Sequence, residues 1–289
     1  MIRRLCIIGV GLIGGSVARA VRARGLCSEI VGVDRDPSNL ARAEELGVID
    51  RGFRSVEEGA EGSDWVFVAT PVGAIGSVLA ELKLAWNLDA IYTDAGSTKG
   101  NIVAALNALF GATPPNFVPG HPIAGAERSG VEASSEALYA GKRVILTPLA
   151  NTDAGKLDSV EAFWNAIGAR VSRMDPDHHD AVLAATSHLP HVLAFTLVHM
   201  LGRKDEQEEI FQYAAGGFRD FTRIASSDPT MWLDICMANR EQIAPLIRQL
   251  QQELESVNQL LSREASGELL SFFMDARQAR QRFLDQLEK

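Results

Sequence analysis

Cysteine is scarce in this chain of 289 residues, which contains only three. Cys6, Cys27 and Cys236 are far apart and odd in number, whereas a disulfide framework or a structural zinc site needs paired or clustered cysteines. The sequence therefore predicts neither, and its cysteine usage is typical of the reducing cytoplasm. The N-terminus also lacks the spacing of a signal peptide, in which a basic segment precedes an apolar one. The expected location is the cytoplasm.

Positive charge and membrane-spanning segments are also lacking. The formal net charge is −9, and there is no basic stripe or tail to contact phosphates, which disfavours a nucleic-acid partner. The most apolar long segment, residues 181–201, contains His188, Pro190, His191 and His199. These residues make it a poor membrane span and predict a buried helix instead. We therefore expect neither nucleic acid nor a membrane as a partner.

Strands and helices alternate over the first 174 residues. Strands are predicted at residues 5–10, 29–34, 64–71, 90–94, 116–118, 143–149 and 169–174, and helices at 15–24, 37–46, 73–84, 101–110 and 157–167. This alternation is typical of a doubly wound, mostly parallel α/β sheet of the Rossmann type. Only helices are predicted beyond it, at 177–200, 207–213, 229–261 and 265–288. The predicted domains are therefore 1–174, a nucleotide-binding domain, and 175–289, an all-helical domain.

The first strand leads into the glycine pattern of a dinucleotide site. Gly9, Gly11 and Gly14 read as G-x-G-x-x-G, and Asp34 ends the second strand 20 residues after Gly14. The glycines allow a tight turn, close approach of the backbone to a pyrophosphate and close packing of helix on strand. The helix N-terminus offers N–H groups and a partial positive charge to phosphates. An ordinary βαβ turn is the alternative, but the two strands and the acid favour a dinucleotide.

Asp34 also indicates which dinucleotide binds. Its carboxylate can accept hydrogen bonds from the adenosine ribose and repels a 2′-phosphate, which favours NAD over NADP. Arg35 is the opposing signal, because an arginine there can accept that phosphate. The predicted cofactor is NAD. The residues predicted to bind it are Gly9, Gly11, Leu12, Ile13, Gly14, Asp34, Arg35, Thr70, Pro71 and Lys99.

Three polar loops are expected beyond the carboxyl ends of the strands, where ligands of doubly wound sheets bind. One of them holds His121 between Gly120 and Pro122, which fix its backbone. Histidine titrates near neutrality, so His121 is a candidate general base. A loop histidine that only bonds to its neighbours is the alternative. Ser97 in the preceding loop can bond to His121 or to a substrate hydroxyl, and Lys99 either contacts the cofactor or is a solvated surface lysine.

In the predicted helical domain, His188 and His191 are three residues apart and share one helix face. The H-E-x-x-H pattern is absent and no carboxylate lies nearby at helical spacing, so a metal site is disfavoured. A substrate contact or a buried structural histidine is expected instead. His178 and His179, which precede Asp180, are interpreted as an exposed helix start.

Residues 216–223 form the most polar segment of this domain next to apolar residues. Arg223 can hold a carboxylate with two hydrogen bonds; the alternative is an ion pair with Asp220 or Asp228. Trp232 either walls the pocket or fills the core.

Five segments together resemble the prephenate/arogenate dehydrogenase family of tyrosine biosynthesis. They are GVGLIGGS at residues 9–16, DAGSTKG at 94–100, GHPIAGAERSGV at 120–131, SHLPH at 187–191 and GGFRDFTRIASSDPTMW at 216–232. They occur in the family's order over most of the chain, and the HPIAG and DFTRIA segments are specific. The resemblance implies a Rossmann domain followed by a helical dimerisation domain.

The resemblance also implies a reaction, the NAD-dependent oxidative decarboxylation of prephenate to 4-hydroxyphenylpyruvate. His121 matches the catalytic histidine that accepts the proton of the ring hydroxyl, Ser97 the serine that bonds to that hydroxyl, and Arg223 the arginine that binds a substrate carboxylate. The other matching substrate-pocket positions are Ser187, His191, Gly216 and Trp232. No acidic residue at a matched position would bind the ammonium group of arogenate, so prephenate is favoured over arogenate or dual use of both.

Two other functions stay open on the sequence. A β-hydroxyacid or pyrroline-carboxylate type reductase also joins a Rossmann domain to helices, although such hydroxyacid dehydrogenases usually need a lysine where this chain has histidines. A dinucleotide sensor without turnover is the non-enzymatic alternative.

The last two predicted helices bear on assembly. They carry apolar residues at three- and four-residue spacing, more than a short helical domain can cover, which favours a homodimer. The alternative is that the two helices cover each other.

Overall fold

The structure, a computed structural model, describes residues 1–126, 128–204 and 206–287. The chain divides into two compact units, Met1–Arg240 and Glu241–Lys289. The predicted domain boundary at residue 174 falls inside the first unit, where the chain changes from strands to helices, and it stays a prediction.

The first unit is built on a six-stranded parallel sheet. Its strands are β1 (Ile2–Ile8), β2 (Cys27–Val33), β3 (Arg51–Phe53), β4 (Trp65–Val68), β5 (Ile91–Asp94) and β6 (Phe117–Val118). Their order is β3-β2-β1-β4-β5-β6, and every neighbouring pair is parallel. This is the strand order of the Rossmann fold, whose ligand crevice opens where the order reverses, between β1 and β4. The predicted fold class is confirmed.

Helices cover both faces of this sheet. They are α1 (Leu12–Ala23), α2 (Pro37–Glu45), α3 (Val56–Ala60), α4 (Val72–Leu82) and α5 (Gly100–Phe110), with a 3₁₀ turn at Lys83–Ala85. Leu5 and Ile7 of β1 belong to one buried cluster, whereas Cys6 and Ile8 belong to another. Burial on both faces explains why the strands are continuously apolar. The short elements β3 and α3 were not predicted, because three or five residues carry too little pattern.

A second, smaller sheet corrects the expectation of one sheet. It contains β7 (Gly120–Pro122), β8 (Arg143–Leu146) and β9 (Arg170–Arg173), with α6 (Ala154–Ala166) between β8 and β9 and a 3₁₀ turn at Val131–Ala133. β7 is antiparallel to β8, and β8 is parallel to β9. Pro119 has no N–H with which to continue the β6 ladder. Its carbonyl oxygen accepts from the N–H of Thr147, which directly follows β8.

Helices make up the rest of the chain. They are α7 (Pro176–Leu183), a π-helical segment (Ala184–His188), α8 (Leu189–Leu201), α9 (Gln207–Gln212), α10 (Gly216–Thr222), a 3₁₀ turn (Arg223–Ser226), α11 (Pro229–Ala238), α12 (Arg240–Ser262) and α13 (Ser266–Leu287). The prediction of a single helix at 229–261 is wrong, since the helix is interrupted at Asn239, between α11 and α12. The buried side chain of Asn239 is hydrogen-bonded to α7 and to the π-helical segment. The short α10 was not predicted, because it begins with two glycines.

Pro176–Leu201 is the one described stretch that is long and apolar enough to cross a membrane by length and composition. Only 22% of its most apolar window is buried within the chain, so the expected buried helix is not found in the single chain. In α8 the side chain of Ala194 is buried, and most of its other apolar side chains are half-buried.

The second unit contains residues of α12 and α13, and it exposes large apolar side chains. Leu254, Leu270, Phe273 and Met274 are 60%, 60%, 55% and 62% exposed. Among the described residues of this unit, Ile243 is the only buried apolar one. The two helices therefore do not cover each other's apolar faces within the chain.

Candidate active site

The glycine turn after β1, residues 9–14, forms a cradle in which side chains on Gly9 and Gly14 would clash with the backbone. Gly9 has φ +94°, and a Cβ there would lie 2.6 Å from the carbonyl oxygen of Ala69. A Cβ on Gly14 would lie 2.1 Å from the carbonyl oxygen of Gly9. At Gly11, by contrast, a Cβ would meet no described atom within 4 Å. The turn is therefore closed on the protein side and open at Gly11, where a phosphate group can approach the backbone.

Asp34 lies at the end of β2 with its carboxylate fixed beside this turn. Oδ2 accepts hydrogen bonds from the backbone N–H of Val10 at 3.3 Å and from Nδ2 of Asn39 at 2.9 Å, and Oδ1 accepts from the N–H of Asp36 at 3.0 Å. Asn39 also donates to the carbonyl oxygen of Val10 at 3.0 Å. Asn39 was missed on the sequence, where it is one polar residue of a surface helix. Arg35 is exposed.

The remaining walls of the crevice also fit a dinucleotide. In the described chain no side chain caps α1, whose first turn contains the half-buried Leu12 and Ile13. Its free N–H groups can therefore serve phosphates. Thr70, at the end of β4, has a buried hydroxyl without a described partner, and Pro71 precedes α4. The open cradle, the fixed acid and the unpartnered hydroxyl together match a dinucleotide site.

Lys99 is fully buried, so the interpretation as a solvated surface lysine is wrong. Its ammonium group is ion-paired with Asp94 at the end of β5 and donates to the carbonyl oxygen of Gly120 at 2.6 Å. Burial lowers the pKa of Lys99, against the attraction of Asp94. Lys99 thereby joins the β5 loop to the strand that carries His121. Its predicted contact with the cofactor stays a prediction.

His121 lies in β7 and is 8% exposed. Its Nδ1 is 2.9 Å from Nε2 of His179. Burial lowers the pKa of His121 well below its usual value, and the nearby His179, Lys99 and His188 lower it further. The imidazole is therefore neutral at physiological pH, as a general base must be.

His179 is fully buried, so the exposed helix start predicted for His178 and His179 is wrong for His179. Asp175 caps α7 by accepting from the N–H groups of Asp177 and His178, and the helix it starts turns His179 inward. Nδ1 of His179 is 2.8 Å from Oδ1 of Asp180. The sequence carried only part of this signal, because Asp-Pro at residues 175–176 marks a helix start but does not show which face of the helix is buried.

Asp180 anchors this histidine pair to the β5 loop. Its Oδ1 and Oδ2 accept hydrogen bonds from the backbone N–H groups of Lys99 and Gly100, each at 2.8 Å. Burial opposes its ionisation, but the hydrogen bonds from His179, Gly100 and Lys99 outweigh this and lower the pKa of Asp180. Asp180 is therefore a carboxylate at neutral pH.

Ser97 is half-buried in the loop between β5 and α5. Among the described contacts, Nδ1 of His121 bonds to His179 and not to Ser97. The predicted bond from Ser97 to a substrate hydroxyl stays a prediction.

A second group of predicted site residues surrounds Trp232 in α11. The ring of His191 stacks on Trp232, with centroids 3.6 Å apart and planes inclined by 21°. Nδ1 of His191 is 2.9 Å from the carbonyl oxygen of Ser187, one helical turn earlier. Trp232 is buried with Val72 and Ile235, so it fills a small core and also supports His191.

Arg223 follows α10, the helix that begins at Gly216. Its positive charge contributes, after burial, to lowering the pKa of His191, which indicates that the two side chains are near each other. Of the alternative partners, Asp228 caps α11 by accepting from the N–H groups of Thr230 and Met231.

Asn239 and His188 link the two groups. Nδ2 of Asn239 donates to the carbonyl oxygen of Asp180 at 2.8 Å and lies 3.1 Å from Nδ1 of His188. His188 in turn lies edge-on to Trp232, with centroids 6.1 Å apart. A path of contacts therefore runs from His121 to His191. Within the described residues, no group of three or more His, Cys, Asp or Glu is arranged to hold a metal ion.

Two family models match the chain in succession. Residues 17–173 match the prephenate dehydrogenase nucleotide-binding domain, and residues 175–275 match the prephenate dehydrogenase dimerization domain. The chain is 35% identical to the cyclohexadienyl dehydrogenase of Zymomonas mobilis, over 96% of this chain and 95% of that protein. It is 34% identical to the prephenate dehydrogenase of Bacillus subtilis, over 96% of this chain and 75% of that protein.

A solved structure agrees with these matches. The prephenate dehydrogenase of Aquifex aeolicus, in complex with hydroxyphenyl propionate and NAD⁺, superimposes with a TM-score of 0.90 and 39% identity, over 98% of this chain and 99% of that one. The glycine cradle and the fixed Asp34 are the features of the present structure that suit that nucleotide. The chain belongs to the prephenate dehydrogenase family and is an NAD-dependent oxidoreductase.

Proposed function

We propose that the chain converts prephenate and NAD⁺ into 4-hydroxyphenylpyruvate, CO₂ and NADH, with His121 as the general base. The observation that carries this proposal is the state of His121, a buried imidazole held neutral at the carboxyl end of the sheet. A neutral imidazole can take the proton of the ring hydroxyl while hydride leaves the same carbon. Breaking that O–H bond supplies the electron pair of the new carbonyl group. When CO₂ leaves, the electron pair of its bond to the ring makes the ring aromatic, and the former carbonyl oxygen takes the proton back to give the phenol.

The remaining predicted residues bind and orient the substrate. Ser97 donates to or accepts from the ring hydroxyl, and Arg223 holds a substrate carboxylate. Ser187, His191 and Trp232 line the pocket, and His191 is kept in place by stacking and by the Ser187 carbonyl. Gly216 begins the helix that leads to Arg223. These residues bring ring carbon 4 towards the crevice between β1 and β4.

NAD⁺, when bound, supplies the hydride acceptor. The chain would bind it through the cradle formed by Gly9, Gly11 and Gly14, and the Asp34 carboxylate would accept hydrogen bonds from the adenosine ribose. Leu12, Ile13, Arg35, Thr70, Pro71 and Lys99 complete the proposed set. Because the ring becomes aromatic when CO₂ leaves, the overall reaction is downhill, and positioning with one general base can supply most of the acceleration.

The competing dehydrogenase functions differ at identifiable positions. A hydroxyacid-type reductase would need a lysine on the first long helix of the second domain, and residues 176–201 contain none. Arogenate differs from prephenate in carrying an ammonium group, and no acidic residue at a matched pocket position is there to bind it. Prephenate is therefore the proposed substrate and arogenate the alternative.

The test is a spectrophotometric assay of NAD⁺ reduction by the purified protein with prephenate, arogenate or 3-hydroxyisobutyrate. We expect reduction with prephenate, equimolar release of CO₂, and a kcat/KM for prephenate above that for arogenate. Reduction with the hydroxyacid only would establish the reductase, and NAD⁺ binding without turnover of any of the three would establish a sensor.

The exposed apolar faces support a proposal about assembly. The chain forms a homodimer in the cytoplasm through its helical domain, residues 175–289, while residues 1–174 form the NAD-binding domain. The exposed leucine, phenylalanine and methionine side chains of α12 and α13 and the largely unburied α8 support this arrangement, since exposed apolar patches mark interaction surfaces. Neither nucleic acid nor a membrane is a partner. Light scattering should show a dimer at micromolar concentration, and a stable monomer would contradict it.

A further inference from the structure

The geometry points to His179 as the positioning residue that selects the reactive tautomer of His121, with Asp180 fixing His179 in turn. This inference rests on the proposed role of His121. It concerns a pair of residues, His179 and Asp180, at the start of a helix of the predicted substrate domain.

The chain of hydrogen bonds begins at Asp180, which can only accept. Both of its carboxylate oxygens already take backbone N–H groups, from Lys99 and Gly100. These donors and His179 stabilise the ionised form. The contact of 2.8 Å between Oδ1 and Nδ1 of His179 therefore requires that Nδ1 of His179 carries its hydrogen.

The next bond follows from the first. We take His179 as a neutral imidazole, which has one N–H; with Nδ1 of His179 protonated, its Nε2 is then an acceptor. The atom 2.9 Å from that acceptor is Nδ1 of His121, which must then be the donor. His121 is itself neutral, so its hydrogen is on Nδ1 and the lone pair is on Nε2. Nε2 is thereby assigned as the base.

The same bonds also offset the charge that the reaction creates. When Nε2 of His121 accepts the hydroxyl proton, the ring becomes an imidazolium with hydrogens on both nitrogens. Its Nδ1–H already points to the lone pair of His179, and the Asp180 carboxylate lies beyond. In a buried site such a prearranged acceptor is worth more than in water. Lys99 and His188, the other charged or titratable neighbours of His121, do not provide an acceptor to it among the described contacts.

Two substitutions separate positioning from structure. His179→Phe keeps a ring of similar size but removes the acceptor, and we expect kcat to fall at least about tenfold, with KM for prephenate and NAD⁺ within about threefold of wild type. Removing the group that orients a catalytic histidine lowers kcat by up to about 10⁴-fold in serine proteases, so a loss of at least about tenfold is expected. His179→Gln places an amide oxygen near the position of Nε2, which can still accept from His121. We expect it to recover most of kcat.

The neighbouring His178 provides the matched control, because its side chain is exposed on the same helix. His178→Phe should keep wild-type kcat. If His179→Phe also keeps wild-type kcat while His121→Asn loses it, the positioning role is wrong and the proposed function stands. If His121→Asn itself keeps wild-type kcat, the proposed base is wrong. A uniform loss in His179→Phe and His179→Gln would likewise overturn the inference.

A measurement on the unmodified protein covers the case in which His179→Phe fails to fold. The chain has only six histidines, so ¹⁵N-histidine labelling gives a spectrum that can be assigned with His121→Asn as reference. At neutral pH we expect the Nδ1 of His121 to be protonated and its Nε2 to have the shift of an unprotonated ring nitrogen. The opposite tautomer, with hydrogen on Nε2, would overturn the inference.

Discussion

The ammonium group of Lys99 and the carboxylate of Asp94 form an ion pair from which solvent is fully excluded. The pair contacts Gly120, the residue that precedes the proposed base. Asp94 accepts from the N–H of Gly120 at 3.0 Å, and Lys99 donates to the carbonyl oxygen of Gly120. Both partners therefore hold the residue that precedes His121. The pair fixes the end of β5 against the start of β7.

Breaking this pair should be costly. Lys99→Met leaves a buried carboxylate without its cation, and removing one partner of a buried pair typically costs about 3–5 kcal/mol. We expect the free energy of unfolding, measured in urea, to fall by about that amount. Adding Asp94→Asn should recover part of the loss, because the uncompensated charge is gone. The exposed Lys142 provides the control, and Lys142→Met with a loss as large as that of Lys99→Met would contradict the argument.

Substitution of the proposed base gives the second prediction. His121→Asn should lower kcat by roughly 10²–10⁴-fold, the usual contribution of a general base, with a much smaller effect on KM. The wild-type enzyme needs neutral His121, and burial lowers its pKa well below 6.5. The profile of kcat/KM against pH should therefore stay high below pH 6.5 and decline only at more acidic pH. The variant should lack this acidic limb, and a variant with near-normal kcat would remove His121 from the mechanism.

His188 gives a prediction about acid stability. Burial is the largest cause that lowers its pKa from 6.5 to about 4, so the unfolded chain binds this proton first. The stabilisation from neutral His188 is present above pH 6.5 and is lost as pH falls towards 4. At 1.36 kcal/mol per pH unit, the loss is about 3 kcal/mol. His188→Gln should reduce the difference in unfolding free energy between neutral and acidic pH by about that amount, whereas the exposed His178→Gln should leave it unchanged.

The sequence predicted most of the fold because the fold depends on local patterns. The alternation of apolar strands with helices determines the doubly wound sheet, and the glycine spacing with Asp34 identifies the dinucleotide crevice. The residues of the second group, from Ser187 to Trp232, had open roles on the sequence, and the family resemblance implied a substrate pocket; the structure places the rings of His191 and Trp232 in contact, and His191 against the Ser187 carbonyl.

The parts that were missed depend on contacts between distant segments. His179 is polar and lies at a helix start, and its burial depends on the packing of α7 against the loop of Lys99 and Gly100. The buried state of Lys99 depends on Asp94 and Gly120 in the same way. Asn239 looks like any polar residue within a long helix, yet its two side-chain hydrogen bonds accompany the break between α11 and α12.

Cofactor choice gives the fourth prediction. The wild-type enzyme should have a higher kcat/KM for NAD⁺ than for NADP⁺, because the carboxylate of Asp34 is held towards the turn by Val10 and Asn39 and repels a 2′-phosphate. Asp34→Ser should raise the ratio of kcat/KM for NADP⁺ over NAD⁺ by at least about tenfold, or about 1.4 kcal/mol. Asp36→Ser, which keeps a side chain able to cap α2, is the control and should leave the ratio unchanged. A wild-type preference for NADP⁺ would overturn the assignment and point to Arg35.

Arg223 gives the last prediction. Prephenate carries two carboxylates, and the net charge of −9 opposes an anionic substrate, so the site needs local positive charge. A guanidinium offers a charged, two-pronged contact, which is worth roughly 1.5–3 kcal/mol. Arg223→Ala should therefore raise KM for prephenate by about ten- to a hundredfold, at 1.4 kcal/mol per decade. If ground and transition states are bound equally, kcat changes little, and KM for NAD⁺ stays the same.

The neighbouring Arg219 is the matched control for this substitution. Its side chain is 82% exposed and lies 3.7 Å from Asp220, so Arg219→Ala should leave KM near wild type. The competing view is that Arg223 serves only to pair with Asp220 or Asp228. In that case Arg223→Ala would lower Tm and leave KM unchanged, so KM and Tm measured on one preparation of each variant decide between the two. A raised KM at unchanged Tm, seen for Arg223 and not for Arg219, would assign the carboxylate contact to Arg223.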